Sequence, residues 1–366
     1  MISAVPHQSA RPFTIFAACL DRALGEVFTR CMFASLVKMH TPDSSLTMYW
    51  RDDGRQYKRD ILAMCPYIDR TISMGGNDVL PLDWFYPPAD RTPIHGIADF
   101  VKAGHASPDL LLLPTQMLEI DMLRYPVWPR FAIPGPAQLG LRRALWNAGL
   151  QDDKWFCVMH YREPTFPLRG ATPYRDVLSD APFEELAGMI IDQLGGQVVR
   201  IGHKEMREWP ARPGFVDLSR HDDFMLHACV ISYARFAVMT GSGPASVPPA
   251  FGVPTMIANA VGAQAFGASP NFMMPRPIIA PNGDRLDIEA MMRNGRWTNA
   301  HIRRLAYNEG HRLEDNTADD MWRGVLRLYG ETIPTGWREP EPEPQTKPML
   351  YNPRGAYVRA INLMVP

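Results

Sequence analysis

The chain has 366 residues, with 38 basic against 39 acidic side chains and a net charge of −1. That length holds about two domains, and the near-neutral balance excludes a dedicated nucleic-acid binder, which carries a strongly basic face. With 46% hydrophobic and 21% charged residues there is ample apolar material for a packed core, so the chain as a whole is not disordered.

In chain order, Phe13 to Leu20 (FTIFAACL) reads as a buried strand, a short apolar run of aromatic and small residues. A helical pattern runs through Phe28, Cys31, Met32, Leu36 and Val37, with Pro42 just beyond its end. Leu46 to Trp50 is a second strand, Lys58 to Met64 a helix, and Thr71 to Met74 a third strand. Strand, helix, strand, helix, strand is the order of a parallel sheet. A Pro-rich loop follows to Ala106, in which Trp84, Phe85 and Tyr86 offer either a stacking platform for a sugar or a packed loop. Leu110 to Leu113 then reads as one more strand.

Pro is in excess, at 35 residues against a usual ~5%. It concentrates around Tyr125 to Pro136, which places a domain boundary between there and Gly149. Beyond it the same grammar restarts. Strands are expected over Lys154 to His160, Gln197 to Ile201, Phe215 to Leu218, Phe236 to Met239 and Thr255 to Ala258. Helices are expected over Phe183 to Leu194, closed by Gly195-Gly196, and over Phe224 to Ser232 and Asp319 to Leu328, with a helical turn over Pro244 to Phe251. The division is therefore 1–140, 141–335, and an extension over 336–366 that opens on an alternating Glu/Pro run, stiff and solvated. No run reaches the ~18 apolar residues of a membrane span, and no signal peptide is evident at the N-terminus. The five cysteines are scattered without a Cys-x-x-Cys pair, as buried reduced thiols in a cytoplasmic protein would be.

Four constellations carry chemistry. The first is Thr240-Gly241-Ser242-Gly243-Pro244-Ala245-Ser246, after a strand and before a helix. Glycines let backbone N–H groups approach a ligand, a helix start favours an anion, and the hydroxyls of Thr240, Ser242 and Ser246 add donors. The plain alternative is a turn in which Ser242 or Ser246 caps the helix. Neither the dinucleotide fingerprint nor the P-loop is met. The second is His160-Tyr161-Arg162-Glu163 at the carboxyl end of a strand, where ligands of open parallel sheets bind. Arg162 suits bidentate contact with a diphosphate, or an ion pair with Glu163 or a nearby Asp. His160 suits a phosphate or sugar hydroxyl, or a satisfied place in the core. The third is Asp217 with Asp222 and Asp223, open between ligand binding and helix capping. The fourth is Gly25-Glu26, where the carboxylate is either a general base or a first-turn acid on a helix dipole. No D-x-D follows a strand, so no metal ion is expected.

Residues 155–259, taken together, resemble a bacterial family of glycosyltransferases. The elements are H-Y-R, Q-V-V-R-I-G, F-V-D, D-D-F-M-L-H and T-G-S-G-x-x-x-V-P-x-x-F-G-V-P ahead of Asn259, with Glu314 to Thr317 matching an E-N-T element. Tyr174-Arg175-Asp176 stands where that family often has R-N-A. Gly25-Glu26-Val27 and the run from Pro42 to Trp50 resemble heptosyltransferases more weakly, and H-x-R also resembles the fucosyltransferases. The resemblance implies a GT-B-like α/β fold of two Rossmann-like doubly wound domains facing a cleft, acceptor side first and donor side second. It implies a sugar, hexosyl or deoxyhexosyl, moved from a nucleoside-diphosphate-sugar to a hydroxyl, with inversion and no metal or other cofactor. Arg162, Gly202, Thr240, Gly241, Ser242, Gly243, Ser246 and Asn259 would hold the donor, with Glu26 and His160 catalytic. The acceptor would be a glycan, a lipid-linked sugar or a small molecule, with peripheral membrane contact left open. A sugar-nucleotide epimerase or hydrolase, or a non-catalytic nucleotide-sugar-binding protein, are the alternatives.

Overall fold

A computed structural model describes residues 12–19, 23–74, 107–112, 129–151, 153–165, 174–262 and 272–332. The loop with Trp84, Phe85 and Tyr86 and the extension after 335 lie outside these residues. The chain divides into two units, Met1–Ile120 and Asp121–Pro366, each with its own sheet.

In the first unit, β1 (Phe13–Cys19), β2 (Ser44–Arg51), β3 (Arg70–Met74) and β4 (Leu110–Leu112) pair in parallel in the order β3-β2-β1-β4. Helices α1 (Leu24–Met39) and α2 (Gln56–Met64) supply the crossovers from β1 to β2 and from β2 to β3. The run of buried residues from Val27 to Leu36 explains why α1 read so clearly.

The second unit begins with a helix that the sequence concealed, α3 (Gly135–Asn147). The expected boundary relied on prolines, but Pro136 sits in the first helical turn, where the missing N–H costs nothing. The strands are β5 (Phe156–His160), β6 (Gln197–Arg200), β7 (Phe215–Asp217), β8 (Phe236–Thr240), β9 (Thr255–Ala260) and β10 (Phe272–Pro275). They form one parallel sheet ordered β10-β9-β8-β5-β6-β7. The chain thus runs outward from β5 to β7, returns beside β5 as β8, and runs outward the other way. That is the strand order of a dinucleotide-binding sheet, with its switch point between β5 and β8.

Right-handed crossovers on either side of a switch point put their helices on opposite faces. One face is covered by α4 (Ala181–Leu194) and α9 (Ala318–Glu331), whose Phe183, Leu186, Ile190, Met321, Val325 and Leu328 pack on Cys157, Met159, Val198, Val238, Met256 and Phe272. The intervening Val158, Ala237, Met239 and Ile257, facing the other way, are equally buried. The crossover helix of that second face is α5 (Phe224–Tyr233). It packs against α3 and against the short α6 (Val247–Phe251). A sheet buried on both faces reads in sequence as continuous apolar runs, as these strands do. After β10 come β11 (Ile278–Ile279), α7 (Ile288–Arg293), α8 (Asn299–Asn308) and β12 (Arg312–Leu313), with β11 and β12 antiparallel. All five cysteines are free and buried.

Two glycines do conformational work at the ends of these elements. Gly195 closes α4 in the left-handed conformation, with φ +67°. Gly262, after β9, has φ +99°, and a Cβ there would lie 2.6 Å from the Asn299 backbone nitrogen. Backbone cannot give way as a flexible side chain can. Gly262→Ala should therefore lower folding stability by more than about 1 kcal/mol. Urea unfolding followed by tryptophan fluorescence measures this, and an unchanged midpoint would contradict it.

Candidate functional site at the switch point

The carboxyl ends of β5 and β8 lie side by side, His160 registering with Met239. The two chains that leave them are cross-linked at once. The Arg162 backbone N–H donates to Thr240 Oγ1 at 2.7 Å. Ser242 Oγ lies 3.1 Å from His160 Nδ1 and 3.1 Å from the Thr240 carbonyl oxygen. A serine hydroxyl has one proton. The arrangement satisfying both contacts has Ser242 donating to the carbonyl and His160 donating from Nδ1. His160, Thr240 and Ser242 are all buried, at 7%, 0% and 5% exposure.

The Arg162 side chain turns to Asp176, Nε to Oδ1 at 2.9 Å, in a pair whose carboxylate is 3% exposed. Of the two readings left open for Arg162, the ion pair is thus present. The segment that carries Asp176 is pinned repeatedly. Val177 N–H donates to the Arg162 carbonyl at 2.8 Å, and the N–H groups of Leu178 and Ser179 both donate to Asp315 Oδ2. Asp315 in turn receives Arg276 Nη2 at 2.7 Å. Burial lowers the pKa of Arg276, opposed by the charges of Asp315 and Asp176. Arg175, one residue before Asp176, reaches back to the turn, its Nη2 donating to the Gly241 carbonyl at 2.9 Å.

The Gly-rich turn differs from its expected form in one respect. Gly243 to Ser246 is a 3-10 turn and α6 is only five residues long, with Pro at the start of each. The dipole of so short a helix is small, so an anion here would depend on side-chain charge and individual donors. Neither Gly241 nor Gly243 is among the described residues with positive φ. Ser246 is 1% exposed and its hydroxyl has no partner among the described residues.

Asn259, on β9, adopts φ +50°, a left-handed conformation that Asn tolerates better than most residues. Reciprocal bonds with Asn316 hold it there. Its N–H donates to Asn316 Oδ1 at 2.7 Å, and its Oδ1 accepts from the Asn316 N–H at 2.6 Å. Its Nδ2 is buried without a partner among the described residues. The expected set therefore converges in part: His160, Arg162, Thr240, Gly241, Ser242, Gly243 and Ser246 meet at the switch point, with Asn259 one strand away.

The remaining expected residues lie apart. Gly202 follows β6, and its lack of a side chain makes room for the Met206 thioether. Asp217, ending β7, pairs with the fully buried Arg200. Asp223 caps α5, accepting from the Leu226 N–H at 3.2 Å, and Asp222 beside it is exposed. Glu26 lies exposed in the first turn of α1, in the other unit. Sequence reasoning did not select Arg175, Asp176, Arg276 or Asp315. They come from loops and a strand end far apart in the chain, and only the departing Tyr174-Arg175-Asp176 run and the Glu314 to Thr317 element pointed toward them. Among the described residues, no group of three or more His, Cys, Asp or Glu side chains converges as a metal site. Nor is any described helix long and apolar enough to cross a membrane.

No family model matches the chain, and no curated protein matches its sequence. Solved structures do. A glycosyl transferase family 9 protein from Veillonella parvula aligns over 88% of this chain and 98% of its own, with a TM-score of 0.54 at 11% identity. The ADP-heptose lps heptosyltransferase II of E. coli aligns over 80% of this chain and 96% of its own, with a TM-score of 0.47 at 13% identity. The fold is that of the GT-B glycosyltransferases, an α/β arrangement with a Rossmann-like parallel sheet in each unit.

Arg200 yields a prediction that separates scaffold from site. Its guanidinium bonds Asp217, Tyr161 Oη and the Arg207 carbonyl, and stacks 4.5 Å from the Trp209 ring. Burial pushes the Asp217 carboxyl up, but hydrogen bonds from Arg200 and Ser219 outweigh it and hold the group below its ordinary 3.8. A carboxylate with a lowered folded-state pKa stabilises above its unfolded pKa, and that stability is lost as pH falls through the folded value. Asp217→Ala should cost about 3–5 kcal/mol at neutral pH, because a buried guanidinium loses its counter-charge. The deficit should shrink on acidification below about pH 3.8, the unfolded-state value. Chemical unfolding of both proteins across that range decides it; a pH-independent difference would show that packing, not charge, is what Asp217 supplies.

Proposed function

We propose that this protein is a glycosyltransferase, which moves a hexosyl or deoxyhexosyl unit from a nucleoside-diphosphate-sugar to a hydroxyl of a glycan, lipid-linked or small-molecule acceptor. The observation that carries the reading is the pairing of His160 to Arg162 with Thr240 to Gly243 across the switch point, where ligands of such sheets bind. The fold shared with a family 9 glycosyl transferase supports it, although a fold hosts many activities and the site must bear the argument.

In this reading the donor's diphosphate lies against the Gly-rich turn, and arginine and backbone donors take the place of a metal ion in neutralising the leaving group. The outcome is inversion: the acceptor oxygen attacks the anomeric carbon as the bond to the diphosphate breaks, and the acceptor's proton passes to a carboxylate. Glu26 is our assignment for that base, and His160 for orienting a phosphate or sugar hydroxyl. The reaction belongs to carbohydrate biosynthesis, in the cytoplasm.

Calorimetric titration with UDP, GDP, CDP, ADP and dTDP in the presence of chelator should show binding of at least one. Binding restored only by magnesium or manganese would refute metal independence. Sugar release with and without an acceptor then separates transfer from hydrolysis or mere binding. Gly243→Val should abolish nucleotide binding while leaving the unfolding midpoint near wild type, since Gly243 is not held at positive φ. Lost stability with retained affinity would reject the phosphate cradle.

A further inference from the structure

Three arginines gather at the carboxyl end of the second sheet, and they are not equivalent. Arg162 is matched by Asp176 and Arg276 by Asp315, each carboxylate less than one-tenth exposed. Arg175 has no carboxylate partner among the described residues. Its hydrogen bond goes to a neutral acceptor, the Gly241 carbonyl, and its Nε, like that of Arg276, is buried with no acceptor among the described residues. Yet its position is fixed. The segment behind it is tied by the Arg162–Asp176 pair, by Val177 N–H to the Arg162 carbonyl, and by Leu178 and Ser179 N–H to Asp315.

A guanidinium held on a Gly-rich turn, with its charge unmatched, is arranged for an anion rather than for the fold. Two further donors support the same conclusion. Ser246 Oγ and Asn259 Nδ2, from the turn after β8 and from β9, are buried at 1% and 2% exposure without acceptors among the described residues. Buried donors are normally satisfied. An end of a sheet that collects unpaired donors and an unmatched cation fits an acceptor-rich, negatively charged ligand, and phosphate oxygens are such acceptors.

We infer that Arg175, and not Arg162, is the side chain that contacts the diphosphate of the nucleotide, while Arg162 and Arg276 position the segment that presents it. This rests on the nucleotide-sugar reading above and assigns a residue within the same site. The pairing Arg162–Asp176 leaves Arg162 neutralised, whereas Arg175 brings a full positive charge to the turn.

The test compares wild type with Arg175→Gln and Arg175→Lys, titrated with UDP, GDP, CDP, ADP and dTDP at fixed ionic strength, with the unfolding midpoint of each apo protein measured alongside. Arg175→Gln should bind the preferred diphosphate at least about tenfold more weakly, the scale of a lost hydrogen bond to a charged group. Its midpoint should match wild type, because no carboxylate is left unpaired. Arg175→Lys should fall between the two, retaining the charge without the planar fork. Affinity of Arg175→Gln within twofold of a wild type that binds overturns this inference and leaves the functional reading intact. A wild type that binds none of the five diphosphates overturns both. A midpoint that falls in Arg175→Gln with affinity unchanged assigns the residue to the scaffold and also overturns the inference.

Discussion

The second unit depends on the pairing of β5 with β8. In a parallel sheet each strand must be reached by a crossover, and right-handed crossovers that leave in opposite directions cover opposite faces. Between the two strands where the direction reverses, no helix lies over the carboxyl ends, and the departing chains diverge. The six strands place that reversal between residues 160 and 240, so two short polar runs eighty residues apart become adjacent. The bonds from Arg162 N–H to Thr240 and between His160 and Ser242 follow from this register, and a slip of either strand would break both.

Around that crevice, charge is balanced unevenly. The pairs Arg162–Asp176 and Arg276–Asp315 are buried, and buried pairs are costly to assemble but costlier to break. Their role here is geometric: together they bind the loop after β5, the end of β10 and the loop before α9 into one frame. Asn259 and Asn316 add a second clasp between β9 and the same loop. Away from the crevice, Arg200 is just as buried, but its hydrogen bonds to Asp217, Tyr161 and a backbone carbonyl match it locally. The contrast between arginines that face a carboxylate, Arg162, Arg200 and Arg276, and Arg175, whose bond goes to a neutral carbonyl, distinguishes support from function.

Most of the regular structure was legible in the sequence because the sheets are buried on both faces. Runs such as FCVMH and FAVMT have no exposed face to interrupt them, and glycine or proline marks several of their ends. The misreadings have equally specific causes. The helix over Gly135–Asn147 is concealed because Pro136 reads as part of a Pro-rich stretch, whereas proline is acceptable in a first turn. The turn after Thr240 suggested a helix start with a useful dipole, and two adjacent prolines, Pro248 and Pro249, occupy much of a helix only five residues long.

The sequence by itself determined the strand-and-helix alternation, the strand end at His160 and, to within one residue, that at Thr240, and the glycines between Thr240 and Pro244, since these rest on local patterns of burial and backbone freedom. It left open the partners of the charged residues. Whether Asp217 faces a ligand or Arg200, and whether Arg162 or Arg175 carries the unmatched charge, depends on contacts between segments up to 137 residues apart, as the Leu178 N–H bound to Asp315 shows. Electrostatic pairing is a property of distance in space, and strand order sets that distance only after the sheet has formed.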